Sequence, residues 1–290
     1  MPSTRDIRRR IKSVRNTAQI TRAMQMVAAS KMRKAQQAAL AGRPYAQAMD
    51  EVLRALAADE ADIAAPEMHV REVRQRGVIL VTTDRGLCGS LNANLLREAA
   101  KFDRDNTQFI AVGRKGAQFL GRTKRRLVAE FPYKDVPSFD EARAIAKFAK
   151  ELFLKGEVDR VDVLFTKFVS TLTQTPEQWT LLPVGERPAV TAAGGARGSA
   201  PSAAATLFAF EPSAKEVMGA LLPHYLNFEM YHILLEARAS EHSARMVAMK
   251  NATENAEQLI KDLTLDYNKM RQAAITNELL EISTAQMALG

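Results

Sequence analysis

Between Met246 and Ala274, nine positions (Met246, Met249, Thr253, Ala256, Ile260, Leu263, Tyr267, Met270 and Ala274) alternate three and four residues apart. A 3.5-residue repeat held for more than three heptads cannot be satisfied by one helix, because its stripe needs a facing helix along its whole length. The partner stripe lies at the other end of the chain. There Ile7, Ile11, Val14 and Ala18 keep a 4-3-4 spacing, after which the stripe is expected to shift to Ile20, Met24 and Val27 and so change the local supercoil. From Thr4 to about Ala58 nearly every residue is a good helix former, giving a helix of roughly 80 Å if continuous. Gly42 and Pro44 predict a kink or local break within it. Ser213 and Glu216 fit a capping box that opens the C-terminal helix, with Pro223 as an early irregularity. If the intervening residues form a compact domain from which both helices emerge, the two pair antiparallel.

The middle alternates strand-like and helix-like pieces. Gly77 to Thr83 and Gln108 to Val112 read as buried strands, each followed by a glycine-bearing turn and a helix. Ser138 to Lys155 reads as an amphipathic helix, and Val158 to Val169 and Gln178 to Val184 add strands. Such alternation predicts an α/β layer with a partly parallel sheet. The expected fold class is therefore α/β, with a long antiparallel two-helix coiled coil from the terminal helices and a central Rossmann-like α/β domain. The expected limits are 1–58 for the first helix, 76–211 for the central domain and 212–290 for the last helix. Residues 185–206, rich in Gly, Ala, Ser and Pro, read as a flexible excursion.

The packing must be aliphatic and thioether in character, since aromatic residues are only 6% of the chain while Met numbers 12. One cysteine, Cys88, excludes an intramolecular disulfide framework and a cysteine-based zinc cluster, and suits a reducing compartment. The longest charge-free apolar candidate near the C-terminal third, Val217 to Phe228, is too short to span a bilayer and contains Pro223 and His224. The net charge of +8 is unevenly placed: residues 1–34 carry ten Lys/Arg against Asp6 alone, whereas residues 215–290 carry seven basic and ten acidic groups. The excess is one basic arm.

Motifs that carry chemistry are few. The turn Asp84-Arg85-Gly86-Leu87-Cys88-Gly89-Ser90 lies between a strand and a helix, where backbone amides hold phosphates in other proteins, yet it matches neither GxGxxG nor GxxxxGK[ST]. It reads as a turn with a helix cap, as does Gly113 to Gly116. Cys88 has no His near it in sequence and reads as a small buried turn residue rather than a nucleophile. His69, His224, His232 and His242 show no i, i+4 pair and no HExxH, so no metal is expected. No pair of carboxylates stands out for acid–base work. The basic arm, Arg5, Arg8, Arg9, Arg10, Lys12 and Arg15, admits nucleic-acid binding, a mitochondrial presequence, an acidic protein partner, or simply a solvated face. The helical pattern running on through Ser30 and Lys31 argues against a presequence, and the Ala/Met-rich stripe that follows argues against a basic zipper.

Three separated stretches carry a resemblance. Ile20-Thr-Arg-Ala-Met-Gln-Met-Val-Ala-Ala-Ser-Lys-Met-Arg-Lys34 resembles the gamma subunit of the F-type ATP synthase. Asp84 to Asn92 resembles that family's first strand-to-helix turn, and Ser240 to Asn255 together with Tyr267 to Leu280 resembles its C-terminal shaft. The match spans essentially the full length. Residues 185–206 fit least well. The chloroplast type carries a regulatory loop with a cysteine pair, which Cys88 alone cannot supply. A chain beginning directly at the shaft helix suits the bacterial type.

The resemblance implies a non-catalytic rotor: an axle of two helices inside a ring of three alpha and three beta subunits, with the α/β domain meeting the epsilon subunit and the c-ring. It implies a peripheral place on the cytoplasmic face of the bacterial inner membrane, one copy per complex, and neither cofactor nor nucleic acid. An asymmetric shaft gives chemically identical beta subunits different contact free energies, and only such differences bias them into different nucleotide states. On this reading Arg8, Arg9, Met24, Arg33 and Lys34 meet loops of beta. Ile275, Leu279, Leu280, Ile282 and Met287, on a stretch that outlasts the first helix, lie in the sleeve of the alpha/beta ring. Asp84, Arg85, Gly86, Cys88 and Gly89 form the turn of the central domain.

Overall fold

A computed structural model describes residues 3–59, 66–184, 211 and 213–289; the stretch 185–206 lies outside them. The elements, in order, are α1 (Thr4–Asp59), a 3₁₀ turn (Pro66–Met68), β1 (Arg76–Val81), α2 (Leu91–Ala100), β2 (Thr107–Val112), α3 (Arg114–Arg122), β3 (Arg126–Phe131), α4 (Phe139–Leu154), β4 (Arg160–Phe168), β5 (Gln174–Leu182) and α5 (Ala214–Leu289). The compact units divide inside α1 and α5, into residues 1–28 with 245–290 and residues 29–244.

In the larger unit the five strands stand in the order β3-β2-β1-β4-β5. β3, β2, β1 and β4 run parallel and β5 closes one edge antiparallel to β4. Alternate residues of each central strand serve opposite faces. Ile79, Ile110, Val163 and Phe165 pack with Ile145, Ala149 and Phe153 of α4 and with Leu226, Met230, Ile233 and Leu234 of α5. On the other face Val78, Leu80, Phe109 and Ala111 pack with Leu95 and Ala99 of α2 and Leu120 of α3. The result is a three-layer α/β/α unit in which the early part of α5 serves as a core helix. At the start of α4 the structure forms a full capping box, Ser138 and Glu141 bonding each other's backbone amides. The edge strand β3 is absent from the sequence reading, because Arg126, Leu127 and Glu130 are exposed and blur its alternation.

The local break expected at Gly42 and Pro44 does not occur: α1 runs unbroken through Pro44, as α5 does through Pro223. Packing holds the first in place. Tyr45 stacks on Phe228 with ring centroids 5.0 Å apart, and Gly42 leaves room for the same ring, whose nearest atom would lie 3.4 Å from an added Cβ. At the start of α5 the Ser213 hydroxyl accepts a hydrogen bond from the Glu216 amide at 3.3 Å.

The smaller unit pairs the outer parts of α1 and α5. On α5 Met249, Thr253, Ala256 and Leu263 are buried and Met246, Ile260, Tyr267 and Met270 half-buried, whereas Ala274, the last position of the expected stripe, is exposed. On α1 the expected shift of the stripe does not occur. Ile7, Ala18, Thr21 and Ala28 are buried while Ile20 and Val27 are 60% and 55% exposed, so the 3.5-residue repeat runs straight on through a threonine. The physical reason is a polar match: the hydroxyls of Thr21 and Thr253 lie 2.7 Å apart inside the seam. The Ala18 and Met249 carbonyls stand 3.1 and 2.9 Å from them, so one hydroxyl donates across the seam and the other to its own helix. Replacing either threonine by Val is expected to cost about 0.5–1.5 kcal/mol, and replacing both to cost less than the sum, because no hydroxyl then loses its partner. Thermal melting of the two single variants and the double variant tests this.

Candidate functional site

The register of the small unit decides what α5 exposes. With Thr21 facing Thr253 in an antiparallel pair, residue 4 of α1 faces the neighbourhood of residue 270 of α5. The last stretch of α5 therefore extends beyond α1, by roughly 30 Å at 1.5 Å per residue. Its apolar side chains stand in the open: Ile275, Leu279, Leu280 and Ile282 are at least half exposed and Met287 is 81% exposed. The sequence singled out these same five. Arg8, Arg9, Arg33 and Lys34 are exposed along α1, and Met24 is half-buried at the flank of the seam. Arg22 reaches Glu257 across the pair at 3.3 Å. Ser3 and Asp6 cap α1: the Asp6 amide donates to the Ser3 hydroxyl and the Ser3 amide and hydroxyl donate to the Asp6 carboxylate, which holds the Asp6 pKa below the usual range.

The strand-to-helix turn is built as an anchor. Leu87 and Gly89 adopt positive φ, 62° and 59°, which turns the chain sharply between β1 and α2. Cys88 is buried and its sulfur accepts a hydrogen bond from the Asn92 amide, consistent with a small packed turn residue. Asn92 also donates to the Thr83 hydroxyl at 2.7 Å, and that hydroxyl donates to the Arg85 carbonyl. Ser90 occupies the N-cap position of α2, yet its side chain caps no amide; the Asn94 side chain donates to it instead. Arg85 and Gly89 are exposed and Gly86 is half-buried. Asp84 accepts from the Arg114 amide at 3.0 Å and from Arg238 at 3.3 Å.

Arg238 is the residue that sequence reasoning missed. It sits on α5 at 2% exposure. Its guanidinium donates to Glu241, to Asp84 and to the carbonyls of Tyr133 and Lys134, and lies 3.6 Å from the centre of the Tyr133 ring. Burial alone opposes the charge, but Tyr133, Glu241 and Asp84 more than offset it and raise the pKa above the ordinary guanidinium value. The Tyr133 hydroxyl donates to the Thr82 carbonyl at the end of β1. Two residues further on, Asp135 accepts from Lys31 of α1 at 2.5 Å. That hydrogen bond holds the Asp135 carboxyl below its usual range despite partial burial. A depressed carboxylate pKa means the link contributes above the unfolded value of about 3.9 and is lost as pH falls through the lower folded value.

These contacts fill the place where a doubly wound sheet binds ligands, the crevice at the carboxyl ends of its strands. Among Val81, Thr82, Thr83, Thr166, Tyr133 and Ala237 about 10 Å³ remains, room for no more than one water. A larger hollow of about 450 Å³ lies at the other end of the sheet, by Arg76, Lys101, Phe102 and Glu177. Several of its charges are paired within the protein, Lys101 with Glu98, Arg76 with Asp162 and Glu177 with Lys167. No described helix is long and apolar enough to cross a membrane.

The signature of the family described as ATP synthase matches residues 3–289. The chain is similar to the ATP synthase gamma chain of Opitutus terrae, 51% identical with 99% of each chain covered. It is also similar to that of Methylacidiphilum infernorum, 46% identical over the whole of both. Among solved structures it resembles a chain of the Tetrahymena thermophila mitochondrial ATP synthase central stalk and c-ring, 25% identical with a TM-score of 0.61, covering 80% of this chain and 99% of that one. With a coiled coil of terminal helices, a parallel sheet between them and relatives aligned from end to end, the chain belongs to the ATP synthase gamma chain family.

Proposed function

We propose that the chain is the central-stalk rotor subunit of a proton-translocating F-type ATP synthase, a peripheral protein on the cytoplasmic face of a bacterial inner membrane that contributes no catalytic group of its own. The observation that carries this reading is the unpartnered end of α5, a single helix whose Ile275, Leu279, Leu280, Ile282 and Met287 are exposed beyond the reach of α1. Apolar surface of this extent on one helix calls for a sleeve, and a ring of three alpha and three beta subunits supplies one. Arg8, Arg9, Met24, Arg33 and Lys34 then meet loops of beta, where charge gives steering and register more than deep affinity. The α/β unit meets epsilon and the c-ring. The filled crevice at the strand ends supports a mechanical rather than a nucleotide-binding role.

Reconstitution tests the assignment. Mixed with alpha and beta subunits and ATP, the chain is expected to co-elute with the ring and to turn a rod fixed to its α/β unit in one direction. A ring that hydrolyses ATP without turning the rod overturns the assignment. The sleeve makes its own prediction. Leu279→Asp with Ile282→Asp forfeits about 1.5–3 kcal/mol of apolar burial at each site, so affinity for the ring is expected to fall at least about 100-fold. The isolated chain should melt as before, since both side chains are solvent-exposed within it.

A further inference from the structure

A subunit that carries torque from a sheet domain into a coiled coil needs a rigid grip on its helices, and on the reading of the chain as a rotor the structure shows where that grip is. The loop between β3 and α4 is bracketed by Pro132 and Pro137, each of which fixes its own φ and narrows the residue before it. Between them Tyr133 and Lys134 offer their carbonyls to Arg238 of α5, and Asp135 accepts from Lys31 of α1. Arg238 also reaches Asp84 at the end of β1, so one planar guanidinium ties α5 to the central strand and to the loop together. Its partner Glu241 is 2% exposed, and four residues past Glu241, at Arg245, the same helix enters the coiled-coil unit.

We propose that Arg238, seated in the crevice at the carboxyl ends of the strands and clamped by the Pro132–Pro137 loop, is the positioning residue that locks α5 against twisting in the sheet domain, so that torque reaches the coiled coil without loss. The crevice that a nucleotide takes in other doubly wound sheets is here given to the shaft. A buried five-donor fork suits this task. Its donors are fixed in one plane and reach two backbone segments outside α5, the Asp84 turn and the Tyr133–Lys134 loop, so rotation of α5 about its axis breaks several charge-assisted bonds at once.

The test uses the assembled complex, with the ring fixed to a surface, a rod on the α/β unit, and rotation halted by a non-hydrolysable ATP analogue. The thermal spread of the rod angle then reports twisting compliance. Arg238→Met is expected to widen the angular variance about twofold and to lower protons pumped per ATP hydrolysed, while unloaded hydrolysis per assembled complex stays at the wild-type rate. Arg238→Lys keeps the charge but not the fork, and should fall between the two. Asp84→Asn removes one arm without stranding a buried charge, and should widen the spread to a smaller extent. If Arg238→Met prevents assembly, the Lys and Asp84→Asn variants decide the matter. Wild-type spread and pumping in both overturn the proposal, as does Arg238→Met assembling with wild-type spread. If the wild-type rod does not turn under ATP, the rotor assignment and the anchor fall together. If it turns and the variants match it, only the anchor falls.

Discussion

Leu263→Pro is expected to unzip the coiled coil while leaving the sheet unit folded. Leu263 lies in the seam of α5 at 9% exposure, more than twenty residues from either end of that helix. Proline there removes the hydrogen bond that the amide gives to the Leu259 carbonyl and drives its ring into that same carbonyl, a cost of about 3 kcal/mol or more. A kink at this point also swings the rest of α5 away from α1, so the seam contacts beyond it are lost together. The single tryptophan makes the two units separately visible. Trp179 lies in β5, its ring 4.8 Å from that of Phe165, and reports on the sheet. The variant should keep the wild-type midpoint in Trp179 fluorescence while losing helical circular dichroism at lower temperature. In membranes, ATP hydrolysis should no longer drive proton pumping. Normal coupling by a variant that assembles in normal yield would show that the paired helices are not the drive shaft.

Gly113→Ala is expected to give the opposite pattern. Gly113 joins β2 to α3 at φ 96°, a conformation that L residues rarely adopt. A Cβ there would stand 2.3 Å from the Thr82 carbonyl oxygen, which is backbone of the neighbouring strand and cannot rotate aside. Strain and overpacking together cost about 2–5 kcal/mol, a large share of a typical domain's stability. The damage falls on the oxygen that the Tyr133 hydroxyl also uses. The Trp179 transition should move to lower temperature, and coupling should fall only as far as folded protein is lost. An unchanged Trp179 midpoint would mean that the turn relaxes in a way its geometry does not suggest.

The parts of the fold that obey a period could be read from the residues. The heptads at Met249, Thr253, Ala256 and Leu263 name their own partner, and the buried strands at Val78 to Val81 and Phe109 to Val112 are runs too apolar to be anything but core. Two differences between sequence pattern and structure have one cause: polar side chains ordinarily face water, and Thr21 and Arg238 do not. Hydropathy alone carries the stripe to Ile20, whereas the seam takes Thr21, because a threonine facing a threonine satisfies both hydroxyls where an isoleucine would not. An arginine beside Glu236 and Glu241 has, in sequence, the look of a solvated face, which hides Arg238. A usable signal was present, since Ile233, Leu234 and Leu235 put every side of α5 under cover one turn earlier, and a charge amid such burial requires partners. Those partners lie about 105 and 154 residues away, which no local pattern reveals.

The pairing of Thr21 with Thr253, 232 residues apart along the chain, bears on the order in which this protein comes into being. At 5–20 residues per second, α1 leaves the ribosome roughly 10–50 s before the segment that will cover its seam exists. Through that interval Ile7, Ala18 and Ala28 have no opposite number, and the cations beside them, Arg8, Arg9 and Arg10, keep the young helix in solution. The sheet between them can close meanwhile, so the coil is the last thing made. A chain cut short between residues 244 and 253, with the sheet unit complete, then displays a folded sheet and a bare basic helix, but never a finished shaft. Synthesis past residue 253 thus serves as its own proofreading, since a shorter copy lacks the segment that covers the α1 seam.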